Sequence, residues 1–305
     1  MNLSKPQRIY YRIAGHLFCI EGEDVFFIQR YLLSAKPFMV EDIINEQPLF
    51  VLKIGENIPD WYHESLPDWH VETLYTFDGE TDDCAFARYD NGYLFRMDSR
   101  EENDSVLMIK ENGSSVFYSN FSPYKKYAFS NLSFLLWVVY GLATVSLRSV
   151  SIHASTIFYN NKAVLFLGES GTGKSTHTRL WVKHIPGTNI LNDDSPIVKI
   201  ENNQVNAFGS MWSGKLACYK NESYPIAAMV RIRQAAFNKI HHLDVIQALG
   251  AVFPSCPTLF AYDSLLSDFI CNTISTIIES VPIYILDCLP EKESAFLSFT
   301  TIFKE

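Results

Sequence analysis

Little in this sequence suits an extracellular, membrane-spanning or nucleic-acid-binding protein. Its six cysteines, Cys19, Cys84, Cys218, Cys256, Cys271 and Cys288, are scattered with no C-x-x-C spacing. That pattern offers neither a disulfide framework nor a zinc site, and predicts buried free thiols in a reducing compartment. Positive charge is scarce: 25 Lys and Arg stand against 34 Asp and Glu, a net charge of −9, whereas a nucleic-acid footprint needs a basic face. The longest apolar run, Phe134–Val145, covers 12 residues and contains Gly141. It is too short to cross a bilayer and predicts a buried helix. Charged and apolar residues interleave through the first twenty positions, so no cleavable leader is expected. Repeats and low-complexity tracts are missing too. These absences predict a cytoplasmic protein with no nucleic-acid or membrane partner. Apolar material is plentiful, at 48% hydrophobic and 14% aromatic residues, and a chain of 305 residues usually divides it between two cores.

The texture changes near residue 130. Before it, Arg8–Ile20 reads as a hairpin turning at Ala14-Gly15. Short apolar and aromatic runs follow at Val25–Ile28, Leu49–Ile54, Val71–Phe77, Cys84–Tyr89, Tyr93–Met97, Ser105–Ile109 and Val116–Tyr118. Turn signals such as Asp90-Asn91-Gly92 and Glu111-Asn112-Gly113 separate them. Residues 1–130 therefore predict a mostly β accessory domain, with no catalytic constellation. Residues 131–305 predict a domain of strands and helices. Asn131–Arg148 suits a helix capped by Ser130 or Asn131, followed by a strand over Val150–Ile157. Pro225–Ile232 and Val281–Leu286 suit strands, Leu243–Val252 a short helix, and Asp263–Ser280 a helix with a clear apolar stripe.

Within that second region, Gly168-Glu169-Ser170-Gly171-Thr172-Gly173-Lys174-Ser175 matches G-x-x-x-x-G-K-[ST], the phosphate-binding loop. An apolar strand candidate, Ala163–Leu167, precedes it, and a helix candidate, Thr176–Lys183, follows it. Glycines let the backbone curl so that its N–H groups face phosphate oxygens, and the helix N-terminus adds partial positive charge. Lys174 would reach the β- and γ-phosphates and the Ser175 hydroxyl would face Mg²⁺. Asp193 follows Lys174 by 19 positions, at the end of the short strand candidate beginning at Asn189. That spacing suits one helix and a return strand, which would bring Asp193 and Asp194 to the mouth of the site. One carboxylate of such a pair can bind Mg²⁺ and the other can take a proton from an attacking hydroxyl.

The segment Gly168–Thr176 (GESGTGKST) resembles the loop of phosphoenolpyruvate carboxykinases and that of the HPr serine kinase/phosphorylase family, both of which carry a downstream Asp-Asp pair. His153 stands where the HPr kinases have a histidine on the strand before the loop. Gly209-Ser210-Met211-Trp212-Ser213-Gly214-Lys215 resembles a segment of HPr-kinase-like proteins found in peptide-modification clusters. The likeness covers about residues 150–290. It implies an α/β fold, with a mixed sheet and flanking helices behind the β domain, and a Mg²⁺-dependent kinase phosphorylating serine in a protein or peptide. It also implies Asp193 as base, Asp194 with Ser175 as metal ligands, and Thr176 among the nucleotide contacts. His153 could orient the transferred phosphate or contact Asp193, and Lys215, after Gly214, could meet the γ-phosphate or a substrate anion. Thr176 replaces the glutamate usual in HPr kinases, and the loop associated with their phosphorolysis is missing, so the reverse reaction is not expected. ATP and GTP both remain open, as do a small hydroxyl metabolite as acceptor, a nucleotide-dependent binding module, and a homo-oligomer. Arg231 and Arg233 could face transferring charge but also suit a polar strand face. Trp212 suits packing of the loop ahead of stacking on a ligand, and His241-His242 a helix surface.

Overall fold

The computed structural model describes residues 6–303 apart from 24, 44, 56–69, 80, 103 and 215. Contacts divide the chain into two units, Met1–Ala143 and Thr144–Glu305. Both hold mixed sheets, and helices flank that of the second, so the chain is mixed α/β.

In the first unit, β1 (Gln7–Ile13) and β2 (His16–Gly22) form the expected hairpin. Ala14 and Gly15 both take positive φ there, the conformation that matches the right-handed twist of the flanking strands. The remaining strands are β3 (Met39–Val40), β4 (Phe50–Ile54), β5 (Val71–Asp78), β6 (Asp82–Tyr89), β7 (Gly92–Ser99), β8 (Ser105–Glu111) and β9 (Val116–Ser119). They pair in the order β3-β1-β2-β4-β9-β8-β7-β6-β5. Val25–Ile28 is not a strand; it opens helix α1 (Val25–Tyr31). Val25, Ile28 and Leu32 are buried while Phe26 is exposed, a helical period that a four-residue apolar run conceals.

Helix α2 (Ala128–Thr144) starts before Ser130 and Asn131, so neither caps it. It belongs to the first unit, which moves the boundary from 130 to 143. The reason is packing: Leu132, Leu135, Leu136, Val138 and Val139 are buried, Phe134 meets Phe95, and the Tyr140 hydroxyl donates to Ile13 O at 3.1 Å. Together with the turn that follows, Ala128–Leu147 is a 20-residue helix long and apolar enough to cross a bilayer by length and composition. Counting uninterrupted apolar residues missed this because the run stops at Ser133, whereas the helix continues through the uncharged Ser130, Asn131 and Ser133. Half of its apolar window is buried, as in a core helix.

The second unit begins with β10 (Ser149–Ser151), β11 (Ala154–Tyr159) and β12 (Lys162–Leu167). Helix α3 (Lys174–His184) and β13 (Asn189–Asn192) come next, then β14 (Ile197–Glu201), β15 (Gln204–Phe208), β16 (Ser223–Gln234) and β17 (Lys239–His242). Helices α4 (Val245–Val252) and α5 (Ser264–Ser280), β18 (Ile283–Cys288) and α6 (Lys292–Phe303) complete it. The central strands β12, β16 and β18 are parallel, and β12 is buried on both faces from Ala163 to Leu167, as parallel strands covered by helices must be. Ile157, Phe166, Trp181, Val230, Leu286 and Ala295 join sheet, α3 and α6 in one core.

Two expectations fail here. Val150–Ile157 is two strands, because the amides of Ile152 and His153 leave the ladder and donate to Pro196 O and Ser255 O. His241 and His242 lie on β17, held in register against β18; the following helix starts only where the Asp244–Gln247 capping box begins it.

Candidate active site

Strand β12 ends at Leu167 and α3 starts at Lys174, so the whole glycine-rich segment lies between a buried strand and a helix N-terminus. Gly168, Gly171 and Gly173 have φ of 146°, 82° and 101°, left-handed or extended-positive conformations that a side chain disfavours. A Cβ at Gly168 would come within 2.6 Å of Thr172 Oγ1, whereas positions 171 and 173 open onto free space. Thr172 donates through both its amide and its hydroxyl to Glu169 O, and Gln234 Nε2 donates to Gly171 O at 3.2 Å. These bonds fix the curl of the loop.

Lys174 is buried, and its ammonium donates to Gly168 O at 2.7 Å and Glu169 O at 3.0 Å. It also lies 3.0 Å from His153 Nε2. Burial pulls the lysine below its ordinary pKa, while Asp194 and Asp193 oppose that pull. The other ring nitrogen of His153, Nδ1, lies 3.3 Å from Asp194 Oδ1. The break between β10 and β11 is what frees this imidazole from the sheet to bridge Lys174 and Asp194.

Asn192 ends β13 and organises the carboxylate pair. Its Oδ1 accepts the amides of Asp194 and Ser195, each at 2.9 Å, an Asx-type turn at the strand end. Its Nδ2 donates to Ser210 Oγ and to Trp212 O. Asp193 is buried, and its Oδ1 accepts the Ser155 hydroxyl at 2.5 Å. Ser155 Oγ in turn lies 3.0 Å from Thr178 Oγ1 on α3. Asp193 Oδ2 has no partner among the described residues, whereas Asp194 has both oxygens engaged, by His153 and by Ser195 Oγ. The segment from Gly209 closes over the pair. A Cβ at Gly209 would meet Lys220 O at 2.0 Å, and one at Gly214 would lie 3.1 Å from Asp193 O.

Of the residues singled out in the sequence, Lys174, His153, Asp193 and Asp194 thus form one cluster beside the loop. Trp212 is buried and packs, as expected. Arg231 reaches the loop: its Nη2 lies 3.6 Å from Glu169 Oε1 and its Nη1 donates to Ala251 O. Arg233 instead makes two bonds to Asp287. Lys215 lies outside the described residues. All six cysteines are free thiols, but Cys218 and Cys271 are half-exposed rather than buried. Ser155, Thr178 and Ser210 were not foreseen. Ser155 sits on β11 with no motif around it, so no signal in the sequence marks it.

No family model matches this chain, and no curated protein matches it. Among solved structures, the HPr(Ser) kinase/phosphatase from Coxiella burnetii is similar over 49% of this chain and 91% of its own, at 13% identity and a TM-score of 0.29. That is a weak likeness. It does not carry that protein's family or activity over to this chain.

Among the described residues no three His, Cys, Asp or Glu side chains gather as a protein-only metal cage. Ser175 follows Lys174 in the first turn of α3 and Asp194 lies against His153; their hydroxyl and carboxylate are hard oxygen donors. Such a sparse set fits Mg²⁺, which is commonly held by one or two protein oxygens together with substrate phosphates and water.

Proposed function

We propose that this protein is an ATP-dependent kinase that transfers the γ-phosphoryl group to a hydroxyl, foremost a serine of a protein or peptide. The observation that carries the reading is the hydrogen-bonded chain from the loop lysine to the carboxylates: Lys174 to His153, and His153 to Asp194, with Asp193 adjacent. A glycine turn that bound nothing would have no reason to bury an ammonium beside two carboxylates, since burying charge is costly.

In the proposed step the acceptor hydroxyl gives its proton to Asp193 through the open Oδ2. Its oxygen bonds to the γ-phosphorus, and the bond from that phosphorus to the β–γ bridging oxygen breaks, leaving ADP. Lys174 and the loop amides hold the phosphate charge. Ser155 fixes the carboxylate of Asp193, and His153 holds Lys174 and Asp194 in mutual register. Mg²⁺, when bound by Ser175 and Asp194, supplies further neutralisation of that charge. We assign the protein to the cytoplasm, in keeping with its six unpaired thiols.

Labelled-ATP transfer in lysate, read by mass spectrometry of the products, tests the assignment. A phosphoserine peptide is the expected product; a phosphorylated metabolite would move the acceptor class to small hydroxyl compounds. Binding of ATP without any transfer would leave a nucleotide-dependent binding module. Lys174→Ala should sharply weaken triphosphate binding or turnover in a folded protein, and equal values in both proteins would overturn the loop's role.

A further inference from the structure

The loop has a second neighbour besides the carboxylate cluster. A cleft of about 420 Å³ opens against Gly171, Thr172 and Gly173, and its lining includes none of Lys174, His153, Asp193 or Asp194. Its walls are largely aliphatic: Leu180 on α3, Ile232 and Ala235 at the end of β16, and Leu289 and Pro290 after β18. The only lining side chains able to hydrogen-bond strongly are Thr172, Thr176, His177 and Gln234. His177 is already engaged by Trp181 and Ser298, and burial pushes its pKa down to about 3, which keeps the ring neutral. The volume lies in the range of small-ligand sites, and the walls suit a flat, weakly polar ring system.

We propose that this cleft receives the purine base of the nucleotide, with Gln234 the side chain at its polar edge. The inference rests on the kinase reading above. A phosphate chain cradled by the loop has two ends. The end carrying the transferred group belongs with Lys174 and the carboxylates, so the nucleoside end must leave the loop elsewhere. The cleft touches loop glycines, contains no charged side chain to repel a base, and offers apolar surface to cover one. Burying a base there removes apolar area from water and adds affinity independent of the phosphates.

Calorimetric titration of the full chain with ATP and with inorganic tripolyphosphate separates the two claims. The native protein should bind ATP at least about tenfold more tightly than tripolyphosphate. Leu289→Trp, which fills the cleft, should erase that advantage while leaving tripolyphosphate within about twofold of the native value. If Leu289→Trp leaves ATP affinity unchanged, the base does not bind in the cleft. If neither ligand binds the native protein, the loop reading fails and takes this proposal with it. A second measurement holds even where the tryptophan variant does not fold. Irradiating native protein with 8-azido-ATP should label peptides containing residues 176–180 or 288–290, and ATP should compete for that labelling. Label confined to other peptides would overturn the assignment.

Discussion

In the first unit Arg88 on β6 faces Glu72 on β5 at 2.6 Å, with both side chains well in solvent. In the second, Lys174 and Asp193 are buried beside a single loop, tied by Ser155 and His153 into a polar network. The same kinds of charge have been put to different use. Cross-strand pairs on an exposed sheet gain little from one another, because water screens them. A buried ammonium or carboxylate costs desolvation that only close, well-formed bonds can offset. The comparison teaches that the second unit carries a structural cost at its loop, while the Glu72–Arg88 pair of the first is an ordinary wet surface contact.

The sharpest way to break that comparison is at Asp193. If the buried network exists for chemistry, Asp193→Asn should cut phosphoryl transfer by about 10²- to 10⁴-fold. Nucleotide affinity should change little, because the base engages the acceptor and not ATP. Asp194→Asn should also lose transfer, but with a raised Mg²⁺ requirement. Magnesium titrations of both variants decide the roles, and the opposite ranking would exchange them. Full transfer in both would remove the mechanism and make the network a packing feature.

Trp181 tests the scaffold rather than the chemistry. It is wholly buried on α3, donates Nε1–H to Ser298 Oγ at 2.9 Å and to His177 Nε2 at 3.2 Å, and packs on Phe166 and Phe299. Trp181→Ala should destabilise the protein by about 3–5 kcal/mol in urea unfolding. A loss below about 1 kcal/mol would mean that α3 is not anchored through α6.

How much of this was legible in the sequence differs by unit. The loop could be read because its glycines, lysine and serine sit at fixed spacing between a strand and a helix, and local chemistry dictates that. The hairpin at Ala14-Gly15 was legible for the same reason. The break at Ile152-His153 was not, since its cause is two carbonyls, Pro196 O and Ser255 O, remote in sequence. Nor was α1, whose four-residue apolar run has no period to read until Leu32 is included. The place of α2 was hidden because a helix's pattern shows which face is apolar but not which sheet will cover it. Ser155 lay beyond reach of motif reasoning: a serine on a strand becomes notable only once Asp193 is folded against it.

His177 offers a smaller effect with a defined sign. Its ring is buried and held neutral, with its pKa pushed down to about 3 from an ordinary 6.5 by desolvation. The folded value lies below the unfolded one, so the unfolded chain binds the extra proton. The stability is present above about pH 6.5 and is lost as pH falls from there towards 3, by up to about 1.4 kcal/mol per pH unit. In His177→Gln the melting temperature should therefore fall less steeply over that window than in the native protein. Other acid-sensitive groups act alike in both proteins, so the difference in slope isolates this ring. Identical slopes would show that His177 reaches solvent.

The smallest effect should come from the first unit. Glu72 and Arg88 sit on β5 and β6, with side chains 53% and 44% exposed, and their N–O distance is 2.6 Å. Short as it is, the contact competes with water on both partners, and holding two long side chains together costs conformational entropy. Glu72→Gln should change stability by no more than about 0.2–1 kcal/mol. That small loss should shrink further in 0.5 M salt, where screening falls within about 5 Å. Urea unfolding at low and high salt measures both quantities. A loss above about 2 kcal/mol that salt leaves untouched would mean the pair is dehydrated in solution. The contrast between a wet, loosely coupled surface pair in the first unit and a buried, tightly coupled loop in the second would then fail.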